Sequence, residues 1–227
     1  MIEARVSGRY ACFTRPEFKV ERVSYPVITP SAARGVLEAI FWKPEFRYEI
    51  RQIGIVKMGT QTSILRNELD ARQGKTPILV ELHRQQRSSL VLKDVDYIIR
   101  AEMVLRDHAT DPIYKYRDQF NRRLNRGQCH HTPYLGTREF AAEVGRPNGE
   151  VPPEGLNLDL GTMLLDLAYV EDPARDELEF IRHGGNGGRV VKGYVHPLFF
   201  SAQIENGWLR VPREKYEQLR RLEAQDV

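Results

Sequence analysis

Residues 91–105 read VLKDVDYIIRAEMVL. Val95, Tyr97, Ile99, Ala101, Met103 and Leu105 fall on every second position, the pattern of a strand with one buried face. Shortly afterwards comes TDPIYKYRDQFNRRLNRGQCHHTPYLGTRE, residues 110–139, and the period changes. Ile113, Tyr116, Phe120 and Leu124 recur at helical spacing. Thr110 with Asp111-Pro112 predicts the helix start, a side-chain cap followed by proline where its missing N–H does no harm. Gly127 predicts the end.

Outward from this strand and helix the chain offers a second pair of the same kind. Residues 2–13 alternate roughly and read as a first strand. A helix starts at Thr29-Pro30-Ser31, with Ala32, Ala33, Val36, Leu37, Ile40 and Phe41 as its buried side. Trp42-Lys43-Pro44 stops it, since a residue before proline is pushed out of the helical region. Residues 46–58 read as a long strand. Residues 59–90 are polar and uneven and predict an inserted loop or hairpin. Strand candidates follow at 134–144 and 161–170, on either side of a Pro- and Gly-rich linker at 146–155. Glu205-Asn206-Gly207 between two apolar runs predicts a hairpin, and the tail REKYEQLRRLEAQDV predicts a short solvent-facing helix. The order matches an α+β, ferredoxin-like βαββαβ domain over 1–145, with insertion 59–90 and 161–170 as a candidate closing strand. A β-rich C-terminal extension covers 146–227.

The 227 residues suffice for a sizeable core. The formal charge is +3 with a sequence pI near 8.8 and a mean hydropathy of −0.50. Global charge therefore does not announce nucleic acid, and the placement of cations must carry that reading. No apolar run is long enough to span a membrane, and MIEARVSGRYACF lacks a signal-peptide pattern. Cys12 and Cys129 have neither disulfide nor metal-ligand spacing, so the expected setting is a reducing cytoplasm.

Three features carry chemistry. First, Lys115, Arg117, Arg122, Arg123 and Arg126 crowd the helix surface, and Lys19/Arg22 and Arg84/Arg87 interrupt irregular segments. A solvated helix face is the bland alternative, but cations interleaved with Phe18 and Tyr25 suit a single strand held by phosphate contacts and stacking. No aromatic signature of an RNA-recognition sheet is present. Second, Cys129, His130 and His131 are adjacent, and adjacent residues of an extended segment face opposite ways, which disfavours a metal. A histidine of this pair acting on RNA competes with a surface histidine. Third, Lys115-Tyr116 is either an acid–base pair or a lysine beside a core-edge tyrosine. Gly184-Gly185-Asn186-Gly187-Gly188 lacks the Lys-Ser/Thr of a P-loop and reads as a flexible link.

Five segments together resemble a known family: 8–44 (GRYACFTRPEFKVERVSYPVITPSAARGVLEAIFWKP), 84–102 (RQQRSSLVLKDVDYIIRAE), 115–140 (KYRDQFNRRLNRGQCHHTPYLGTREF), 160–166 (LGTMLLD) and 198–212 (LFFSAQIENGWLRVP). They are similar to the CRISPR-associated RAMP proteins of family five from type I-C systems. The resemblance implies metal-independent cleavage of CRISPR repeat RNA at the base of its hairpin, by attack of a 2′-OH on the adjacent phosphate. It also implies retention of the crRNA 5′ handle, the backbone and large subunits of the surveillance complex as partners, and target DNA as an indirect one. No cofactor and no metal are expected.

The family's catalytic set is an aromatic residue in an Ile-x-Trp-Lys-Pro motif and a Lys-His pair opening the second helix. Carried over, these positions are Phe41, Lys115 and Tyr116. Lys115 is then the charge stabiliser and Tyr116 the proton-transfer group, its phenol lowered by the adjacent ammonium. His130 or His131 is a substitute base, with His131 the chosen candidate, if the chain after Gly127 returns past the helix start. Candidate RNA contacts are Lys19, Arg22, Arg34, Phe41 (by stacking), Arg84, Arg87, Arg122 and Arg123. The rivals are a subunit that only binds the 5′ handle, and a general single-strand RNA or DNA binder.

Overall fold

A computed structural model of the chain describes residues 1–18, 21–71, 74–185 and 187–224. Its first half runs β1 (Ile2–Ala11), β2 (Arg22–Val23), α1 (Pro30–Ile40), β3 (Phe46–Lys57), β4 (Thr60–Leu69), α2 (Val80–His83), β5 (Arg84–Leu105) and α3 (Ile113–Asn125). The second half runs β6 (Glu143–Gly145), β7 (Leu158–Glu171), β8 (Leu178–Gly184), β9 (Gly187–Glu205), β10 (Trp208–Arg210) and α4 (Arg213–Ala224).

The strand at 91–105 is the spine, and it starts earlier than its alternation shows. β5 spans 22 residues. Its second half pairs with β1 and β3, and its first half pairs with β4 from Thr60↔Lys93 to Leu69↔Arg84. Gln85, Gln86 and Arg87 carry no apolar period because this arm stands in solvent, where neither face needs one. The predicted inserted hairpin is therefore this arm. Along the core half, Val95, Tyr97, Ile99, Ala101 and Met103 are buried. The opposite face carries cross-strand ion pairs, Arg5 with Asp96 and Arg100 with Glu3, each reaching 2.7 Å.

The strands make one ten-stranded sheet along the path β6-β1-β5-β3-β10-β9-β7, with β2 and β4 on β5 and β8 on β9. All described pairings are antiparallel except β2 with β5. The strand beside β1 is the three-residue β6. Residues 161–170 lie in β7, which pairs with β9 instead, so the expectation that they close the first sheet is corrected. Leu209 brings β10 against Ile53 of β3, and the C-terminal strands thereby continue the sheet of the first half.

α1 follows its sequence signals. Thr29 Oγ1 accepts from the Ala32 N–H at 3.2 Å, Pro30 takes the first turn, and Ala33, Val36, Leu37 and Ile40 are buried. The helix stops at Phe41, whose backbone is extended. α3 departs from the expected cap: Pro112 itself is the N-cap and no side chain closes the end. Asp111 instead reaches Lys115 Nζ at 2.7 Å. The last helix is not merely solvent-facing, because α4 buries Tyr216 and Leu219, and the Tyr216 hydroxyl accepts from the Ile50 N–H at 3.0 Å. Asn206 and Gly207 both have positive φ, as the tight turn between β9 and β10 requires.

β7 is fixed to α1 by charge. A register shift between Leu164 and Asp166 marks a bulge, after which the buried phase moves from Met163 and Leu165 to Asp166, Ala168 and Val170. Asp166, only 1% exposed, receives both arms of Arg34, from Nε at 2.8 Å and Nη2 at 2.9 Å. Nη1 of the same guanidinium reaches Glu38 at 2.7 Å. Desolvation works against the Arg34 charge, but the two carboxylates outweigh it and hold its pKa well above the usual value. Arg34→Ala strands a buried carboxylate and should cost about 3–5 kcal/mol in urea unfolding, whereas Arg34→Met with Asp166→Leu should cost much less. Equal losses in the two variants would show that the pair is not what holds β7 to the helix.

Candidate functional site

The first turn of α3 presents its two candidate groups to different surroundings. Lys115 is 58% exposed on its side chain and held by Asp111. The Asp111 hydrogen bond and charge raise its pKa, so it remains an ammonium at neutral pH and serves as a fixed positive charge. Tyr116 points the other way. It is buried with Phe120 and Leu124, its ring 5.2 Å from that of Phe46. Burial raises its pKa, with Glu45 and Asp111 adding to the rise, while the Lys115 charge opposes them and is outweighed. The expectation of an accessible phenol lowered by its neighbour is corrected: helical periodicity placed this residue in the core. Its hydroxyl is buried without a hydrogen-bond partner among the described residues.

Phe41 is 2% exposed. Its ring lies 5.6 Å from Phe46, and its carbonyl accepts from the Tyr48 hydroxyl at 2.6 Å. It is a core residue here and offers no face to a base. His131 is exposed, but it sits at the far end of α3. The His130 N–H donates to Ala39 at 2.7 Å, so the chain after Gly127 returns against the C-terminal end of α1 and not past the start of α3. The His131 ring stacks on Tyr134. At ~1.5 Å per residue, the twelve steps from Ile113 to Asn125 separate the two ends of α3 by about 18 Å. Lys115, Tyr116 and His131 are thus not assembled into one constellation.

The cation candidates divide in the same way. Arg34 is engaged by Asp166 and Glu38 and is a structural cation. Arg123 donates to the Ile40 carbonyl at 3.1 Å and lies over Phe41, while Arg122 is exposed. Arg22 and Arg87, distant in sequence, meet on the arm. Together with Arg66 they converge on the single carboxylate Glu68, at 3.6, 3.5 and 4.0 Å respectively. Arg84 is exposed at the outer end of the same arm, opposite Leu69. Lys19 lies outside the described residues.

A second group was not singled out from the sequence. β8 and β9 turn back through the glycine run beside the connection from β5 to α3, leaving a cleft of about 660 Å³. Trp42, Arg47, Arg106, His108, Tyr169 and His183 are among its walls. A smaller cavity of about 300 Å³ adjoins it, lined by Pro44, Glu45, Thr110, the same two histidines and the glycines. Thr110 on this wall precedes Asp111, the partner of the Lys115 ammonium, in the chain. His108 sits in Arg106–Thr110, an irregular stretch between the best strand and the most cationic helix. Its position there was the available signal, since connections between rigid elements commonly carry function. Among the described residues no group of three or more metal-binding side chains is gathered.

The chain is thus a mixed α+β protein built on one large antiparallel sheet, with cations on an arm and two histidines lining one cleft. The chain belongs to the CRISPR-associated protein Cas5 family: the Cas5d profile of that family matches residues 1–212. It is 65% identical to the CRISPR pre-crRNA endoribonuclease Cas5d of Thermus thermophilus, over 98% of this chain and 96% of that protein. It is 37% identical to the protein of the same name from Mannheimia succiniciproducens, over 97% and 98%. Two solved structures share the fold at TM-score 0.61. One is a CRISPR-associated protein at 24% identity, covering 92% of this chain and 90% of that one. The other is a functionally uncharacterized Streptococcus mutans protein at 21% identity, covering 95% and 93%.

Tyr116→Phe removes a buried, unpartnered hydroxyl while keeping the ring packed on Phe46. Thermal and denaturant unfolding should show stability unchanged or raised, by up to about 1–3 kcal/mol. A clear loss would mean that the phenol has a partner in solution.

Proposed function

We propose that this protein is a metal-independent endoribonuclease that matures CRISPR RNA, cleaving repeat RNA at the base of its hairpin and keeping the 5′ handle as a subunit of the type I-C surveillance complex. The observation carrying this reading is the 65% identity, over nearly the full length of both chains, to a pre-crRNA endoribonuclease. The chemistry is internal transesterification: a base takes the 2′-OH proton, the 2′-oxygen attacks the phosphate in line, and an acid protonates the leaving 5′-oxygen. The products are a 2′,3′-cyclic phosphate and a 5′-OH. Lys115 is the charge stabiliser, since its ammonium is exposed and persists at neutral pH. Tyr116 and His131 keep a part in proton transfer only if RNA binding opens the first turn of α3 or brings its two ends together.

RNA contacts fall to Arg22, Arg84 and Arg87 on the arm and to Arg122 on α3, with Arg123 as a partly engaged neighbour. Lys19 belongs to the same reading. The strand order β6-β1-β5-β3, with α1 and α3 as crossovers, supports a ferredoxin-like RAMP domain over 1–145 and a β-rich extension over 146–227. The backbone and large subunits are the protein partners, target DNA is met indirectly, and the setting is the cytoplasm. No helix among the described residues is long and apolar enough to cross a membrane.

One observation favours a second reading, a subunit that caps the 5′ handle without cutting it: both aromatic residues at the expected catalytic positions are buried. The decisive measurement is incubation of the protein with its own repeat RNA in excess chelator. The ribonuclease reading expects one cut at the hairpin base, and Lys115→Ala should slow it about 10²–10⁴-fold. Intact RNA that is nonetheless bound would favour the capping subunit.

A further inference from the structure

We infer that His108 and His183 are the proton-transfer pair of this ribonuclease, acting on an RNA phosphate held beside Arg106 in the cleft between the β8–β9 turn and the β5–α3 connection. The inference rests on the reading above and supplies what the carried-over positions lack. Phe41 has no proton to exchange, the whole Tyr116 side chain is packed in the core whereas the His108 side chain is half-buried, the Lys115 ammonium keeps its proton, and His131 lies at the other end of the helix. Imidazole is the side chain whose ordinary pKa, about 6.5, suits both taking and giving a proton near neutrality.

Four observations converge on this cleft. Both histidines line the large cavity and the small one that adjoins it, from opposite sides of the same opening. His108 Nε2 is buried without a hydrogen-bond partner among the described residues, and so is Glu45 Oε2 on the wall of the same small cavity. Both atoms are shielded from solvent as the side chains stand, and turning them toward a bound polar ligand would remove the cost of leaving them unpaired. Arg106 forms no ion pair among the described residues. Its side chain is open to solvent, and partial desolvation, with the like charge of Arg47 beside it, lowers its pKa against the opposing charges of Glu223 and Glu38. Such a cation is available to an anion entering the cleft. Finally, Trp42 stands at the opening with its ring 5.6 Å from that of His183, an aromatic surface at the mouth for a base of the entering strand.

Other charges face the same space. Arg47 and Arg182 are drawn toward Glu223 and Glu171 at 2.8 and 3.1 Å, and Arg220 toward Glu49. Asp107 and Glu45 supply the remaining carboxylates on the walls. The step balances with nothing added. One imidazole takes the 2′-OH proton, the 2′-oxygen bonds to phosphorus as the bond to the 5′-oxygen breaks, and the other imidazolium protonates that oxygen. Which histidine plays which part is left to the experiment.

The test uses the full-length protein and its His108→Gln and His183→Gln variants, which keep side-chain size and hydrogen-bonding capacity. Single-turnover cleavage of the repeat RNA is measured in chelator, beside RNA affinity and melting temperature. A second substrate carries sulfur in place of the 5′-oxygen at the mapped cut, a leaving group that needs no proton. Each variant should lose about 10²–10⁴-fold in rate with affinity held within about threefold, and one of the two should recover on the sulfur substrate. Cleavage by either variant within about threefold of the unaltered protein overturns the assignment. So does a rate loss that merely tracks lost binding, or one that sulfur restores in neither variant. If the unaltered protein leaves the repeat whole, the ribonuclease reading itself fails, and the assignment with it.

Discussion

The bond between Arg34 and Asp166 is the constraint on which the arrangement of the C-terminal half depends. The sheet is continuous through β10, but that join is only three residues long, from Trp208 to Arg210. A short join leaves the long β7, β8 and β9 free to swing unless something holds their other face. The two-armed guanidinium does so, because a carboxylate 1% exposed cannot be satisfied by water and has a defined geometric partner on α1. Leu164 N–H, which reaches the Tyr25 hydroxyl at 3.3 Å, ties the same strand a few residues earlier. With β7 held, β9 follows by its ladder, β8 follows β9, and the turn bearing His183 is delivered beside Trp42.

The same economy explains why α3 does not carry its chemistry on its inner face. Tyr116, Phe120 and Leu124 are spaced to fill the core, and they meet a cluster in which Phe41, Phe46 and Tyr48 pack ring against ring. A phenol there is a hydrophobic body with an inconvenient oxygen. Proton chemistry needs solvated or substrate-facing groups, and these stand on the connections around the helix: Arg106 and His108 before it, and His183 across the cleft. On the helix itself Lys115 points outward, held by Asp111.

How much of this was legible follows from where the patterns are physically enforced. α1 was readable from Thr29, Pro30 and its apolar spacing because each signal answers a local need. The core half of β5 was readable because one face is buried; its outer half, from Arg84, was not, since an exposed arm imposes no period. The phase change at Asp166 hides in LLD, where a bulge lets Leu165 and Asp166 both be buried, and strict alternation cannot represent that. Lys115 stood out in the sequence as a helix-surface cation, and the resemblance gave it a role. Phe41 and Tyr116 were placed at the site by position in a motif, while their own apolar spacing already pointed inward; the packing decided in favour of the spacing. His108 and His183 carry no motif, and only the fold brings residues 75 positions apart to one cleft.

Charge shows the same gap between totals and placement. A net +3 over 227 residues predicts little attraction to RNA. Yet three guanidinium groups from β2, β4 and β5 gather around Glu68 on the arm, with Arg66 held more closely by Glu139 at 2.8 Å, a local clustering of charge that averaging conceals. From Arg87 to Arg106 the chain of β5 runs 19 residues, roughly 60 Å at ~3.3 Å per residue. The cations of the arm and those of the cleft are therefore separate grips, placed toward opposite ends of one strand. On the proposed reading, holding an RNA at both points along its length would fix which phosphate reaches the cleft, through a spacing set by the length of a single strand.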